Sequence, residues 1–350
     1  MTERLLVIAA AVEAVLLLCG VLVLAAYVAV SAARTRRHAA DLQRARGALQ
    51  RVALAEAPAT VGVEALHDLP FDLALGVLLD VAGPLDGQAL TRLNGVAVDA
   101  GLTRHLDRWS TSPRWSRRLR ALRLVARLRM PATSVGHLLD DGHPAVRAAA
   151  ADAVRQHPTY DAITRLLTML DDPEPLCRFA AKAALMGCGR SAAPALSAYL
   201  SAADCTQPAA VLDIALDVAD GSFLAPALRW SHDADPLTRR AAAVLMSRTA
   251  GEAATGRLRE LLDDPDRGVR AASARGLGNL AHWPAAAALG EALRDPEWEV
   301  RSAAAVALRR MGAPGRVYLR TALRSRDAFA ADIARQSLAL PEGVLSVAGR

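Results

Sequence analysis

Apolar and polar positions follow a helical period along most of this chain, and the pattern itself returns about every 31 residues. Six arginines anchor it, Arg118, Arg147, Arg178, Arg239, Arg270 and Arg301, separated by 29, 31, 61, 31 and 31 residues. Taking each arginine as zero, position −1 is mostly small and apolar (Val146, Cys177, Val269, Val300). Position +3 holds Ala121, Ala150, Ala181, Ala242, Ser273 and Ala304, and position +7 holds Val125, Val154, Leu185, Met246, Leu277 and Leu308. Steps of four place these on one helical stripe, where small residues let helices approach and larger ones fill the space between layers. Position −6 is Ser112, Asp141, Asp172, Asp233, Asp264 or Asp295, usually with proline or glycine next, and this reads as a helix start.

Second apolar segments lie between these helices, at residues 158–170, 192–200, 253–262 and 284–293. Each unit is therefore predicted to be a helical hairpin, which cannot bury both faces alone and must stack on its neighbours. The 61-residue interval is two periods with one worn repeat centred near Ala209, giving seven units. The predicted fold class is all-α, an α-solenoid over residues 112–340 preceded by one transmembrane helix.

The residues Asp264, Pro265, Val269, Arg270, Ala272 and Leu277, and again Asp295, Pro296, Val300, Arg301, Ala304 and Leu308, resemble the signature D-P-x-x-x-V-R-x-x-A-A-x-A-L. This signature is similar to the HEAT repeats, and more closely to the bacterial HEAT-like type found in bilin lyases. The resemblance covers residues 112–338. It implies a structural ladder of hydrogen bonds from repeat to repeat, carried here by Asp141/Arg147, Asp172/Arg178, Asp233/Arg239, Asp264/Arg270 and Asp295/Arg301. Each charge-assisted bond would contribute about 1.5–3 kcal/mol. For function the resemblance is almost silent, because this repeat serves many unrelated tasks.

Residues 14–33 carry no charge, and twenty apolar residues suffice to span a bilayer. Arg34, Arg36, Arg37, Arg44, Arg46 and Arg51 follow, against Arg4 and the opposing Glu3 before it. The positive-inside bias places the repeats in the cytoplasm of a bacterium and the N-terminus outside the inner membrane. A cleaved signal peptide ending at Ser31-Ala32-Ala33 is the competing reading, but the apolar run is long and its basic flank lies on the wrong side. Glu13 then sits near the outer headgroups. Residues 34–62 are expected to form a basic juxtamembrane helix and linker, 63–111 an irregular helical cap, and 341–350 a tail.

Composition changes this picture little. Net charge is +6, aromatic residues are 4% of the chain, and 53% is apolar, enough for a continuous core and one span. Four cysteines at scattered positions read as reduced, inert thiols. Candidate chemistry is thin. The chain has no His-Glu pair of the kind iron-binding HEAT hydroxylases carry, no CxxC and no nucleophile elbow, so no catalytic, cofactor-binding or metal residue is assigned. A basic segment, Arg114, Trp115, Arg117, Arg120 and Arg123, is a candidate surface for a protein partner or anionic lipid, with nucleic acid the less favoured anion. The worn repeat carries Asp213, Asp217 and Asp220 at helical spacing, a candidate docking point or hinge.

The expected function is a non-catalytic, membrane-tethered scaffold that binds a protein partner. Similar bacterial anchored proteins point to a membrane glycosyltransferase or another envelope complex. An accessory or lyase-like protein holding a prosthetic group, and a nucleic-acid-binding solenoid, remain as alternatives.

Overall fold

The computed structural model describes residues 20–25, 27–28, 31, 39–130, 135–218, 220–249 and 251–340, and no strand occurs among them. The chain parts into two compact units, Met1–Ser134 and Val135–Arg350.

The first unit holds α1 (39–53), α2 (Ala59–His67), α3 (Phe71–Ala82), α4 (Gly87–Asp99), α5 (Leu102–Ser110) and α6 (Trp115–Leu128). Leu49, Leu75, Leu78, Leu93, Leu122 and Leu124 are buried completely at its centre. The chain turns at residues 54–58, within the expected helix and linker of 34–62, where Ala55 takes a left-handed φ of 62°. α6, with the first anchor arginine, belongs to this unit. The expected span at 14–33 lies mostly outside the described residues. Those of it that are described are helical, and Val21, Leu22, Val23, Leu24, Tyr27 and Val28 are exposed. Among the described residues no helix is long and apolar enough to cross a membrane.

The second unit is a stack of hairpins: α7 (Pro144–Val154) with α8 (Tyr160–Thr168), α9 (Pro175–Gly187) with α10 (Ala193–Ser201), and α11 (Pro208–Val218) with α12 (Leu224–Trp230). It continues with α13 (Pro236–Met246) and α14 (Glu252–Glu260), α15 (Arg267–Asn279) and α16 (Ala286–Ala292), α17 (Trp298–Arg310) and α18 (Ala313–Ala322), and closes with α19 (Ala328–Ala339). The anchor helices pack in series from α7 to α19, with the second helices as a parallel layer. The apolar stripe builds the core: Ala150, Ala181, Ala242, Ser273 and Ala304 at +3 are fully buried, as are Leu185, Met246, Leu277 and Leu308 at +7. Small side chains decide the spacing. A Cβ on Gly278 of α15 would stand 2.6 Å from the Cα of Ala307 in α17, so these helices meet backbone to backbone.

The helix start is corrected in one respect. The aspartate at −6 does not cap the helix; it accepts the amide two residues on, as Asp264 Oδ1 does from Asp266 at 2.9 Å, and so folds the entering turn. The helices begin at −3, with Pro144, Pro175 and Pro236 at N1, and the residue at −4 is the N-cap. Asp266 accepts from Gly268 at 2.8 Å and Val269 at 3.1 Å in that role. An N-cap must adjoin the free N–H groups of the first turn, and position −6 lies too far upstream to reach them.

Candidate functional site

The geometry of the anchor residues is a chain of bidentate ion pairs between successive repeats. Arg147 donates from Nε and Nη2 to the Asp172 carboxylate at 2.7 and 2.9 Å, while its Nη1 donates to the Asp141 carbonyl at 2.8 Å. Arg239 binds Asp264 at 2.8 and 2.8 Å and the Asp233 carbonyl at 2.9 Å. Arg270 binds Asp295 at 2.7 and 3.0 Å and the Asp264 carbonyl at 2.8 Å. Each arginine thus touches the backbone of its own aspartate and the side chain of the next repeat's, and the fork of the guanidinium fits both at once.

The electrostatics follow the geometry. The hydrogen bond from Arg147 holds the Asp172 carboxyl below its ordinary value. Burial pushes Asp264 and Asp295 upward, but the bonds from Arg239 and Arg270 and from the turn amides outweigh it, and both finish low.

The ladder is interrupted on both sides of the worn repeat. In register with its neighbours, α11 buries Val211, Leu212, Ile214 and Ala215 where they bury +3, +4, +6 and +7, so the anchor position falls on Pro208. Proline offers no donor. Asp233 therefore accepts the Asp235 amide at 2.8 Å with no guanidinium opposite it among the described residues, and because position −6 in this register is Ala202, which has no carboxylate, Arg178 donates to the carbonyls of Asp172 and Pro173 at 2.8 and 3.0 Å. A substitute contact spans the gap: Gln207 Nε2 donates to Asp171 Oδ1 at 2.6 Å, and Thr206 bonds the other oxygen. At the C-terminal end Arg301 binds the carbonyls of Asp295 and Pro296 at 2.7 and 2.8 Å and lies over the Phe329 ring at 4.9 Å. There Asp327 is the cap at −4, accepting from Phe329 and Ala330 at 2.9 and 3.1 Å, so the anchor position falls on Ala331, which has no guanidinium.

The acidic residues of the worn repeat separate in role. Asp213 and Asp217 stand exposed on the outer face of α11, whereas Asp220 accepts the Ser222 amide at 2.9 Å and starts the next turn, which lowers its carboxyl. Beside α11 lies α9, whose outer face exposes Leu176, Phe179 and Met186. Their spacing of three and seven was visible in the chain, but exposed and buried stripes look alike until the packing is known.

The basic segment divides likewise. Arg114, Arg120 and Arg123 of α6 are exposed and Trp115 is 45% exposed, while Arg117 stacks 5.7 Å from the Trp109 ring. Arg127 turns inward and binds the Ala82 carbonyl at 2.9 and 2.7 Å and that of Leu85 at 2.6 Å, closing the end of α3. Sequence reasoning missed this role, as it missed Arg229 and Arg257. Arg229 donates to the Ser201 carbonyl at 2.8 Å and Arg257 to that of Ser231 at 2.9 Å, tying the second helices together.

Burial raises the thiols of Cys177 and Cys205 and pushes Cys188 up to about 11, so all three stay protonated at neutral pH. Among the described residues no group of three or more histidine, cysteine or acidic side chains is placed to hold a metal ion.

Residues 256–339 match the sequence family described as HEAT repeats. No curated protein matches it. Among solved structures, an engineered protein is 19% identical, covering 84% of this chain and 93% of its own with a TM-score of 0.31. A chain from the complex of Kap95p with RanGDP is 12% identical, covering 85% of this chain and 49% of its own with a TM-score of 0.47. A chain from the CpcE–CpcF phycocyanin lyase of Nostoc sp. PCC7120 is 19% identical, covering 67% and 93% with a TM-score of 0.31. Among the described residues the second unit exposes an apolar face on α9, beside α11, where the ladder is interrupted.

Proposed function

We propose that this chain is a non-catalytic scaffold, tethered to a bacterial membrane through residues 14–33, that holds a protein partner on the outer face of its HEAT repeats. The observation that carries this reading is the exposed apolar face of α9, with Phe179 72% and Leu176 57% exposed on a helix whose opposite side is fully buried. Exposed apolar area rimmed by polar residues is the mark of a docking surface. The exposed Val21, Leu22, Val23 and Leu24 support the tether, since such a segment needs lipid or protein around it. A membrane glycosyltransferase or another envelope complex is the partner that the resemblance to anchored HEAT-like proteins favours. The basic face of α6, with Arg114, Arg120 and Arg123 exposed, supports contact with anionic lipid in the same arrangement.

A photoreactive residue at position 183 on α9, followed by identification of what it captures in cells, tests the scaffold. Cysteine labelling from outside the cell tests the tether. Capture of a membrane enzyme with position 350 protected from label is the expected result. A chain released free of membranes by mild salt, or a C-terminus open to external label, would overturn the topology.

A further inference from the structure

The proposed scaffold leaves open the chemistry of its partner, and the faces of α9 and α11 narrow it. Leu176, Phe179 and Met186 recur on one side of α9 and form a ridge about 15 Å long, ten residues at 1.5 Å rise. Met186 is 44% exposed, so the ridge is open along its length. The other anchor helices of this unit expose at most one large apolar side chain each on the described residues: Leu237 on α13, Trp298 on α17, and Phe329 on α19, over whose ring Arg301 lies. The ridge is therefore local to α9.

α11 packs directly beside it and turns Asp213 and Asp217 outward, one helical turn apart. Neither carboxylate has an ion pair or a side-chain hydrogen bond among the described residues. Glu174 at the start of the ridge and Asp204 before α11 add two more exposed carboxylates, against Lys182 and the carbonyl-bound Arg178 on α9. This acidic edge stands out in a chain of net charge +6.

We propose that α9 and α11 together dock an amphipathic helix of the partner, its apolar stripe seated on Leu176, Phe179 and Met186 and its lysine or arginine flank facing Asp213 and Asp217. A straight ridge several turns long suits a helix, whose own side chains recur at the same rise, and unpaired carboxylates along one side fix its charge and direction. The inference rests on the scaffold reading and adds the partner's chemical class.

The test uses the full-length protein in non-ionic detergent and a fluorescent leucine–lysine peptide of about 18 residues patterned as an amphipathic helix of five turns. A leucine–glutamate twin is the control, and empty micelles are the blank. Anisotropy should show the lysine peptide binding at least about tenfold tighter than its twin, with affinity falling as salt rises. Asp213→Asn with Asp217→Asn should weaken the lysine peptide by roughly three- to tenfold and remove most of the salt dependence. Phe179→Ser should weaken it as well, and a circular-dichroism melt checks that each variant keeps the parent's fold. Twin peptides that bind alike, or variants that bind the lysine peptide as the parent does, would overturn the proposal. Capture at position 183 in cells separates the two readings: a captured membrane enzyme with no peptide preference leaves the scaffold standing and removes only the basic helix.

Discussion

At the scale of single residues the anchor arginines show how one side chain can do two jobs only in a repeated structure. Arg239 reads the backbone of Asp233 and the carboxylate of Asp264, and the pair is largely enclosed, with side-chain exposures of 12% and 6%. Removing the charge from one partner strands the other. Asp264→Asn keeps an acceptor for the Asp266 amide but loses the ion pair, and urea unfolding should show a loss of about 3 kcal/mol. Asp233→Asn, with no guanidinium opposite, should stay within about 0.5 kcal/mol of the parent. Equal losses in the two would show that the ladder adds no stability. Because Asp172, Asp264 and Asp295 are held low, the unfolded chain binds protons before the folded one as pH falls. Their contribution is complete above the unfolded value of about 3.9 and vanishes as pH drops through the lowered folded values. A variant with Asp264→Asn and Asp295→Asn should accordingly lose less stability than the parent between about pH 5 and pH 3 in a denaturation series.

At the scale of helices, contact distance is set where alanine and glycine face each other. Gly278→Ala would drive a methyl group into the Ala307 backbone, which cannot move aside as a flexible side chain would. A loss of about 1–3 kcal/mol is expected in chemical denaturation. Gly256 of α14 is the contrast: a Cβ there meets nothing within 4 Å, so Gly256→Ala should gain about 0.5–1 kcal/mol from helix propensity alone. Ser273 stands where α7, α9, α13 and α17 carry alanine, and its buried hydroxyl finds no partner. Ser273→Ala should raise stability by about 1 kcal/mol, read as a higher melting temperature.

At the scale of the second unit, the stack is a series of nearest-neighbour interfaces, and a repeat with weak ones on both sides is where it opens. α11 has no ladder arginine, and the Asp171 contacts from Thr206 and Gln207 are exposed, so they carry less than the enclosed ion pairs. Amides of α11 should therefore exchange with deuterium faster than those of α15, and equal protection would remove the hinge. On α19 Asp332 accepts from Arg335 at 3.0 Å and from Gln336 at 2.7 Å, which gives that helix an exposed polar face.

Much of this was legible in the chain because the repeat tests itself: the same residue types at −6, −1, +3 and +7 in unit after unit can only mean one helix against the next. Period and stripe, hence hairpins, stacking and the identity of the core, follow from the spacing of Val269, Ser273 and Leu277 and their equivalents. What the spacing could not give is direction between units. Arg147 lies six residues from Asp141 and 25 from Asp172, and only the stacked backbone brings the distant carboxylate within 2.7 Å and leaves the near one to bind through its carbonyl. The same holds for the outer surface. Phe179 and Leu185 are equally apolar in sequence, yet the neighbouring helices cover Leu185 completely and leave Phe179 bare. Local periodicity fixes which residues share a face, while burial depends on what lies opposite, and that is a property of the assembled stack.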